Sequence, residues 1–306
     1  MADETTSSVW QLLTDPIHRP PLAQDAHADV CVVGTGIVGL SAAYELAAAG
    51  RQVLVLSDRP IGHGNTGRTT AHLSNVLDDR FEAVSRLHGV ERARLAQESH
   101  AAAIRRIEEI VAAERIDCAF TRLPGYLFLA SGQGRERLDS ELDAARRCGI
   151  AEVRLLEESS EPGLRTGPCL AFAGQAQFQP LDYIGGLAAA IERRGGRIAT
   201  GQAVQAIEGG KPAKVKLRNG PTVTAGAVVV ATNSPISDRL AIHSKQEPNR
   251  TYVVAFAVPR GAVGRALYWD DGEPYHYIRT QPIEEDGKRR LGIEPAGEMD
   301  LLIVGG

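Results

Sequence analysis

The chain has 306 residues, 43% of them hydrophobic and 24% charged, and its 34 basic and 38 acidic side chains leave a net charge of -4. That length holds one large or two modest domains with a full core, and that charge argues against a nucleic-acid partner. No apolar run approaches the ~18 residues of a membrane helix and the polar, acidic N-terminus has no signal-peptide pattern, so a cytoplasmic protein with no membrane partner is expected.

Residues 1–28 are rich in Pro, Thr and Ser and read as an extended arm anchored by Trp10. The next stretch, Asp29 to Asp58, is DVCVVGTGIVGLSAAYELAAAGRQVLVLSD. An apolar run breaks into Gly34, Gly36 and Gly39, a small-residue helix pattern follows to Ala49, and a second apolar run spans Val53 to Leu56. Strand, glycine turn, helix and strand in this order form the β-α-β unit that binds a dinucleotide. Gly34 permits the tight turn, Gly36 lets the backbone approach a pyrophosphate, and Gly39 lets the helix pack closely on the sheet. The amides at the helix start, around Ile37 and Val38, point at the phosphates from the positive end of the helix dipole. An acidic residue normally ends the second strand and bonds the ribose. Here that end is Ser57, with Asp58 one residue later. Successive strand residues face opposite ways, so Asp58 serves only where the strand has already ended, and Ser57 can bond a ribose hydroxyl more weakly.

Ile61 to Asn75, IGHGNTGRTTAHLSN, is too rich in Gly, Thr and Asn for a regular element. It reads as a loop whose amides and hydroxyls suit a second set of phosphate or ring contacts. His63 and His72 have no carboxylate cluster around them, and Cys31, Cys118, Cys148 and Cys169 are scattered without a C-x-x-C pair, so no metal site is expected. Residues 80–115 carry two helices, the second from Arg92 to Glu114, with a solvated charged face. Gly125 to Ser131 reads as a strand, Arg135 to Cys148 as an amphipathic helix, and Val153 to Leu156 as a short strand; this block is expected to start a second domain. Helix Leu181 to Arg193 leads into a strand after Gly195-Gly196. Lys214 to Leu217, an Asn219-Gly220 turn and the next strand make a hairpin. Ala227 to Ala231 is apolar throughout and suits a sheet buried on both faces. YVVAFAV, ALYWDD, YHYIRT and LLIVGG are strand-like, and the stop at Gly306 after two glycines leads us to expect an incomplete sequence.

The glycine motif, the GNTGRTTAH loop, QAQFQPLDY, the GG-R-I strand and VVVATNS occur in an order that resembles the FAD-dependent oxidoreductases of the D-amino-acid oxidase and glycine oxidase family. The chain looks most like the bacterial branch in which a Rieske iron–sulfur domain follows the flavin domain. The resemblance covers nearly all of residues 8–306, and its specificity comes from the later segments. It implies an α/β fold in which a Rossmann-like FAD-binding domain, residues 29–117 and 175–239, is interleaved with a mixed or antiparallel-sheet substrate domain, residues 118–174 and 240–306. It implies that Gly34, Gly36 and Gly39 hold the FAD pyrophosphate and that Thr66, Arg68, Thr69 and Thr70 lie along the pyrophosphate and the isoalloxazine ring. Val204 matches the position whose backbone meets adenine, and Ala231 and Thr232 match the strand end that closes over the dinucleotide. The family usually has Glu where this chain has Ser57, and the family's late glycine-rich flavin contact and any Rieske ligands would lie beyond Gly306.

Flavin carries the redox step, so a nucleophile set is not required, and none is found. An acid substrate calls for an Arg fork, and Arg279 in YHYIRT resembles the family's carboxylate-binding position, with Tyr275 and Tyr277 beside it. A solvent-facing Arg on a sheet is the competing reading. Tyr252 and His276 are weaker substrate candidates, and Trp269 and Tyr268 read as packing. The expected function is oxidation of a C–N bond of a small amine or amino acid by hydride transfer to FAD, with oxygen or an iron–sulfur partner as acceptor. The alternatives are a truncated, non-catalytic relative with weak or no FAD binding, and an NAD(P)-dependent dehydrogenase.

Overall fold

The computed structural model describes residues 6–218, 220–234, 236, 251–294 and 297–306. In chain order the elements are α1 (Val9–Leu13), β1 (Ala26–Val33), α2 (Ile37–Ala48), β2 (Val53–Leu56), a 3-10 turn (Asn65–Arg68), β3 (His72–Leu73), α3 (Phe81–His88) and α4 (Val90–Glu114). Then come β4 (Thr121–Phe128), α5 (Glu136–Arg147), β5 (Arg154–Leu156), β6 (Cys169–Gln177), α6 (Pro180–Arg193), β7 (Arg197–Ala199), β8 (Val204–Glu208), β9 (Ala213–Leu217) and β10 (Thr222–Val230). The chain closes with β11 (Val253–Pro259), β12 (Leu267–Asp270), β13 (Tyr277–Ile283), α7 (Glu285–Leu291) and β14 (Met299–Gly305). Among the described residues no helix is long and apolar enough to cross a membrane.

The chain divides into two compact units, the first made of Met1–Thr69, Glu114–Cys118 and Gln179–Asn249, the second of Thr70–Ala113, Ala119–Phe178 and Arg250–Gly306. Thr70–Ala113, which the sequence reading placed with the nucleotide unit, clusters with the second.

The first unit is built on a sheet in the order β7-β2-β1-β10-β9-β8. β7, β2, β1 and β10 pair in parallel, while β9 and β8 are antiparallel additions. Val53–Leu56 is buried throughout, as a strand covered on both faces must be, and Cys31 and Val32 are fully enclosed in β1. Burial pushes the Cys31 thiol up to about 12, so it is a neutral packing group. The expectation of burial on both faces fails for Ala227–Val230. β9 pairs with β10 only at Thr222–Ala225, so the second half of β10 is bonded to β1 on one side alone, and Val230 is 49% exposed. Of the predicted hairpin turn, Asn219 lies outside the described residues.

The arm is not simply extended. Ser8 and Gln11 form a capping box that starts α1, and Trp10 is 1% exposed. Farther along, Arg19 makes a two-pronged pair with Glu192, and β1 begins at Ala26, three residues earlier than read. α6 starts with Pro180 in its first turn and the Gln179 side chain accepting from the amides of Leu181 and Asp182.

The second unit has a mixed sheet in the order β11-β14-β13-β12-β4-β6-β3, with β5 beside β6. Only β12 and β4 run parallel; the remaining pairs are antiparallel. Its core stacks Phe81 on Phe172 and Phe172 on Trp269, which confirms the packing role read for Trp269 and Tyr268. The architecture is therefore α/β with two mixed sheets, one of them Rossmann-like.

Glu114 joins three parts of the first unit. Its carboxylate accepts from Tyr44 Oη of α2 at 2.8 Å, from Arg193 Nη2 at 2.8 Å and from Arg194 Nη2. Hydrogen bonding to Arg194, then to Tyr44 and Arg193, holds this carboxyl down to about 2. A depressed pKa contributes stability above the ordinary value of 4.5 and loses it as the pH falls toward 2. We expect Glu114→Gln to lower the urea-unfolding free energy at neutral pH by about 2 kcal/mol, the scale of hydrogen bonds to a charged group. The gap between variant and wild type should close as the pH is taken down through that window; a gap that stays constant would show that the charge does not matter.

Candidate functional site

The glycine turn is a point of forced close approach. Gly34 has φ +117°, its amide donates to the Leu56 carbonyl at 2.8 Å, and an added Cβ would lie 2.4 Å from the Ala231 oxygen. A Cβ on residue 39 would lie 2.0 Å from the Gly34 oxygen. Gly36 differs: its backbone is ordinary, and a Cβ there meets only the Thr66 hydroxyl, at 3.2 Å. Gly36 is the N-cap of the 12-residue α2 without any side-chain cap, and no acidic residue stands in the first turn. Ile37 donates its amide to Thr66 Oγ at 3.0 Å, and Val38 is 67% exposed on the same turn. An uncapped, acid-free helix start, open where a side chain is missing, fits an anionic pyrophosphate.

Around it lie the other predicted contacts of this unit. β2 ends at Leu56, so strand alternation constrains neither Ser57 nor Asp58. Ser57 is held by its amide on Ala199 O at 3.0 Å and by Gln202 N on its carbonyl at 2.8 Å. Its hydroxyl accepts from Arg59 N, whereas Asp58 is exposed and 3.9 Å from the Arg59 guanidinium. Val204 opens β8 opposite Leu217, Ala231 N donates to Val33 O at 2.8 Å, and Thr232 Oγ donates to Ser234 O.

The Gly/Thr-rich segment is more regular than its composition implied, because Asn65–Arg68 winds into a 3-10 turn. The N-terminal arm holds it. Ser8 Oγ donates to Gly67 O, Trp10 Nε1 to Thr69 O at 2.6 Å, and Arg68 Nη1 to Thr6 O at 3.0 Å. Arg68 is thus turned to the arm. Arm and loop also enclose a pocket of about 460 Å³ lined by Gln11, Thr14, Ile17, Ile61, His63 and Arg68; none of Gly34, Gly36 and Gly39 lines it.

In the second unit Tyr252, Gly306 and His276 form a row across the sheet. Tyr252 and Gly306 exchange main-chain hydrogen bonds of 3.0 and 3.1 Å, and a Cβ on Gly306 would lie 2.8 Å from His276 Cδ2. Tyr252 is 77% exposed. The Asp270 carboxylate accepts from His276 Nδ1 at 2.8 Å and from the amides of His276 and Gly272, which fixes the ring and leaves Nε2 outward. Tyr275 donates to Asp78 at 2.9 Å.

Arg279 stands apart from that row and is not solvent-facing: its exposure is 0%. Nη1 donates to the carbonyls of Thr70 at 3.0 Å, Ala71 at 2.9 Å and Phe178 at 3.2 Å, and Nη2 donates to Gln281 Oε1. Desolvation lowers its pKa to about 9. His72, given no role by the sequence, is the partner of Thr70: Nδ1 is 3.1 Å from Thr70 Oγ and Nε2 is 3.4 Å from the Ile278 carbonyl. Desolvation, followed by the Arg279 charge, holds this ring down to about 3, hence neutral. A carbonyl only accepts, so Nε2 carries the proton, and Nδ1 accepts from the Thr70 hydroxyl. Among the described residues no group of three or more His, Cys, Asp or Glu is placed to hold a metal ion.

Over residues 29–301 the chain matches the family described as DAO: FAD dependent oxidoreductase. The chain belongs to the DAO family. Within its reach, the putative Rieske 2Fe-2S iron-sulfur protein YhfW of Bacillus subtilis (strain 168) is 29% identical over 279 residues, which cover 91% of this chain and 54% of that protein. Gamma-glutamylputrescine oxidoreductase of Escherichia coli (strain K12) is 32% identical over 225 residues, 72% of this chain and 52% of that protein. The chain therefore spans about half the length of these relatives. Glycine oxidase from Geobacillus kaustophilus shares the fold with a TM-score of 0.64 at 19% identity, over 91% of this chain and 70% of that one. L-amino acid deaminase from Proteus myxofaciens, in complex with anthranilate, does so with a TM-score of 0.64 at 17% identity, over 97% of this chain and 62% of that one.

For this DAO-family chain, Gly39→Ala should be destabilising before any ligand is considered. The contact it creates is with backbone, which cannot rotate away. We expect a loss of at least about 2 kcal/mol, in the range of overpacked cores, read as a lower unfolding midpoint of apo-protein or a collapse in soluble yield. A variant with the wild-type midpoint would show that α2 can lift off the sheet.

Proposed function

We propose that this chain binds flavin and substrate as an FAD-dependent oxidoreductase that oxidises the C–N bond of a small amine or amino acid. The observation that carries the reading is the open, uncapped start of α2 at Gly36, within a chain of the DAO family. Gly34, Gly36, Ile37, Val38 and Gly39 would hold the pyrophosphate by main-chain amides and the helix dipole. Ser57 or Asp58 would meet the adenosine ribose, Val204 the adenine, and Ala231 and Thr232 the dinucleotide from the end of β10. Thr66, Thr69 and Thr70 would follow the pyrophosphate and ring; Arg68, turned to Thr6, would do so only after leaving that carbonyl.

Bound FAD supplies a two-electron acceptor for the hydride on the carbon next to the substrate nitrogen. A neutral amine giving up that hydride would become an iminium ion and would release its N–H proton to water, so no strong side-chain base would be needed. Tyr252 and His276, in one row at the end of the second sheet, are the proposed substrate contacts, with His276 oriented by Asp270. The names of the relatives, a gamma-glutamylputrescine oxidoreductase, a glycine oxidase and an L-amino acid deaminase, support an amine or amino-acid substrate. Electrons would leave to oxygen or to an iron–sulfur partner, and the Rieske-named relative supports the second outlet.

The test is the visible absorbance of purified protein before and after adding FAD. Retained flavin bands after desalting are expected; a protein that takes up NAD(P) and no FAD would overturn the reading. Gly36→Ala separates cofactor from fold. Its Cβ strains no backbone but stands 3.2 Å from the Thr66 hydroxyl and replaces an N-cap glycine, so apo stability should fall by no more than about 1 kcal/mol. FAD affinity should fall at least about tenfold, equivalent to ~1.4 kcal/mol, because the methyl occupies the approach to the phosphates.

A further inference from the structure

We propose that Arg279 is a positioning residue, whose guanidinium fixes the Thr70–Ala71 turn and thereby holds the Thr70 hydroxyl as a hydrogen-bond acceptor for an N–H group of the flavin. The proposal rests on the FAD reading above. It departs from the carboxylate-binding role that the sequence pattern implied for this residue.

Three observations carry it. First, the guanidinium sits among main-chain carbonyls. One nitrogen serves Thr70, Ala71 and Phe178 together, and the other serves the amide oxygen of Gln281. To bind a substrate carboxylate, it would have to abandon the Ala71 and Phe178 carbonyls, which have no solvent to replace it, since both residues are 2% exposed. Second, the turn it holds is a disfavoured one. Ala71 has φ +60°, a left-handed conformation that a residue with a Cβ seldom adopts, and such strain persists only where its surroundings over-determine it. Two successive carbonyls aimed at one cation supply that determination.

Third, the turn fixes the polarity of a side chain. Thr70 donates to Nδ1 of the neutral His72, whose Nε2–H is turned to Ile278 O and whose ring packs edge-on against Tyr277 at 5.7 Å. With its proton committed, the Thr70 oxygen offers only lone pairs. It suits a donor N–H and not a ring carbonyl. Thr70 directly follows Thr66 to Thr69 in the chain, the segment read as lining the flavin, so a turn that relaxes at Thr70 and Ala71 removes this acceptor from it.

Hydrogen exchange on apo-protein tests the clamp, and FAD titration tests its consequence. In Arg279→Gln the amides of Ala71, His72 and Leu73 should exchange at least about tenfold faster, with the α5 amides unchanged. FAD affinity should fall by at least about tenfold more than in Leu127→Ala, a core truncation in the same sheet that controls for lost stability. Arg279→Lys, which keeps charge without the planar fork, should recover part of both effects. Thr70→Val leaves the clamp intact, so it should lose FAD affinity with unchanged exchange at Leu73; this arm stands even where Arg279→Gln does not fold. Wild-type exchange in Arg279→Gln, or an affinity loss no larger than that of the control, would overturn the proposal. So would a raised KM for an acid substrate in Arg279→Lys with unchanged exchange and FAD affinity, which would return Arg279 to the substrate carboxylate. If wild type takes up no FAD, the flavin reading falls, and the exchange result still decides whether Arg279 holds the turn.

Discussion

The Gly34 carbonyl lies where a Cβ of residue 39 would have to be, 2.0 Å away, and much of the first unit follows from that distance. Only a helix without that Cβ can descend onto the end of β1. Ala231 approaches from β10 as closely as it does for the same reason, with its oxygen 2.4 Å from the Cβ position of residue 34. Two strand ends and a helix start thereby converge with no side chain between them. β1 lies between β2 and β10 in a parallel arrangement, so this convergence falls outside the carboxyl ends of the central strands, where open α/β sheets place their ligands. What faces outward there is main-chain N–H and a helix dipole, and both favour an anion.

An open site of this kind needs its loop held from outside, and the arm does so through main-chain acceptors. Gly67 O and Thr69 O receive the Ser8 hydroxyl and the Trp10 indole. Carbonyls that are spoken for in this way cannot turn toward the helix start, while Thr66 Oγ satisfies one amide of α2 from the other side. Trp10 contributes area as well as a bond, since a buried indole must find a partner for its N–H.

The β-α-β unit was legible because each of its steps is local: an apolar run, three glycines, a helix period and a second run within one stretch. The strands of the second unit were legible for the same reason, though their order was not, since β4 and β12 pair across more than a hundred residues that leave no mark on either sequence. The failures share a cause. Ala227–Val230 was read as doubly covered because it is apolar, but β9 pairs with β10 only as far as Ala225. Composition called Asn65–Arg68 irregular, yet the arm, some sixty residues earlier in sequence, holds it in a 3-10 turn. Arg279 in YHYIRT gives no sign of its carbonyl partners, because Thr70, Ala71 and Phe178 are brought to it by folding. A residue's type announces what it can bond, and its neighbours in space decide what it does.

His72 and Arg279 illustrate how that decision is made by electrostatics. Burial alone disfavours charge on both, and an arginine gives up its proton far less readily than an imidazole. The cation therefore stays on Arg279, where carbonyl dipoles surround it, and its field adds to the burial that keeps His72 neutral. The two values, about 9 and about 3, bracket the range in which most proteins work. Within that range neither group changes state, so the Thr70 hydroxyl keeps one donor direction. His276, in contrast, is exposed, with its ring held by Asp270. A buried cation beside a neutral imidazole thus fixes hydrogen-bond polarity at Thr70.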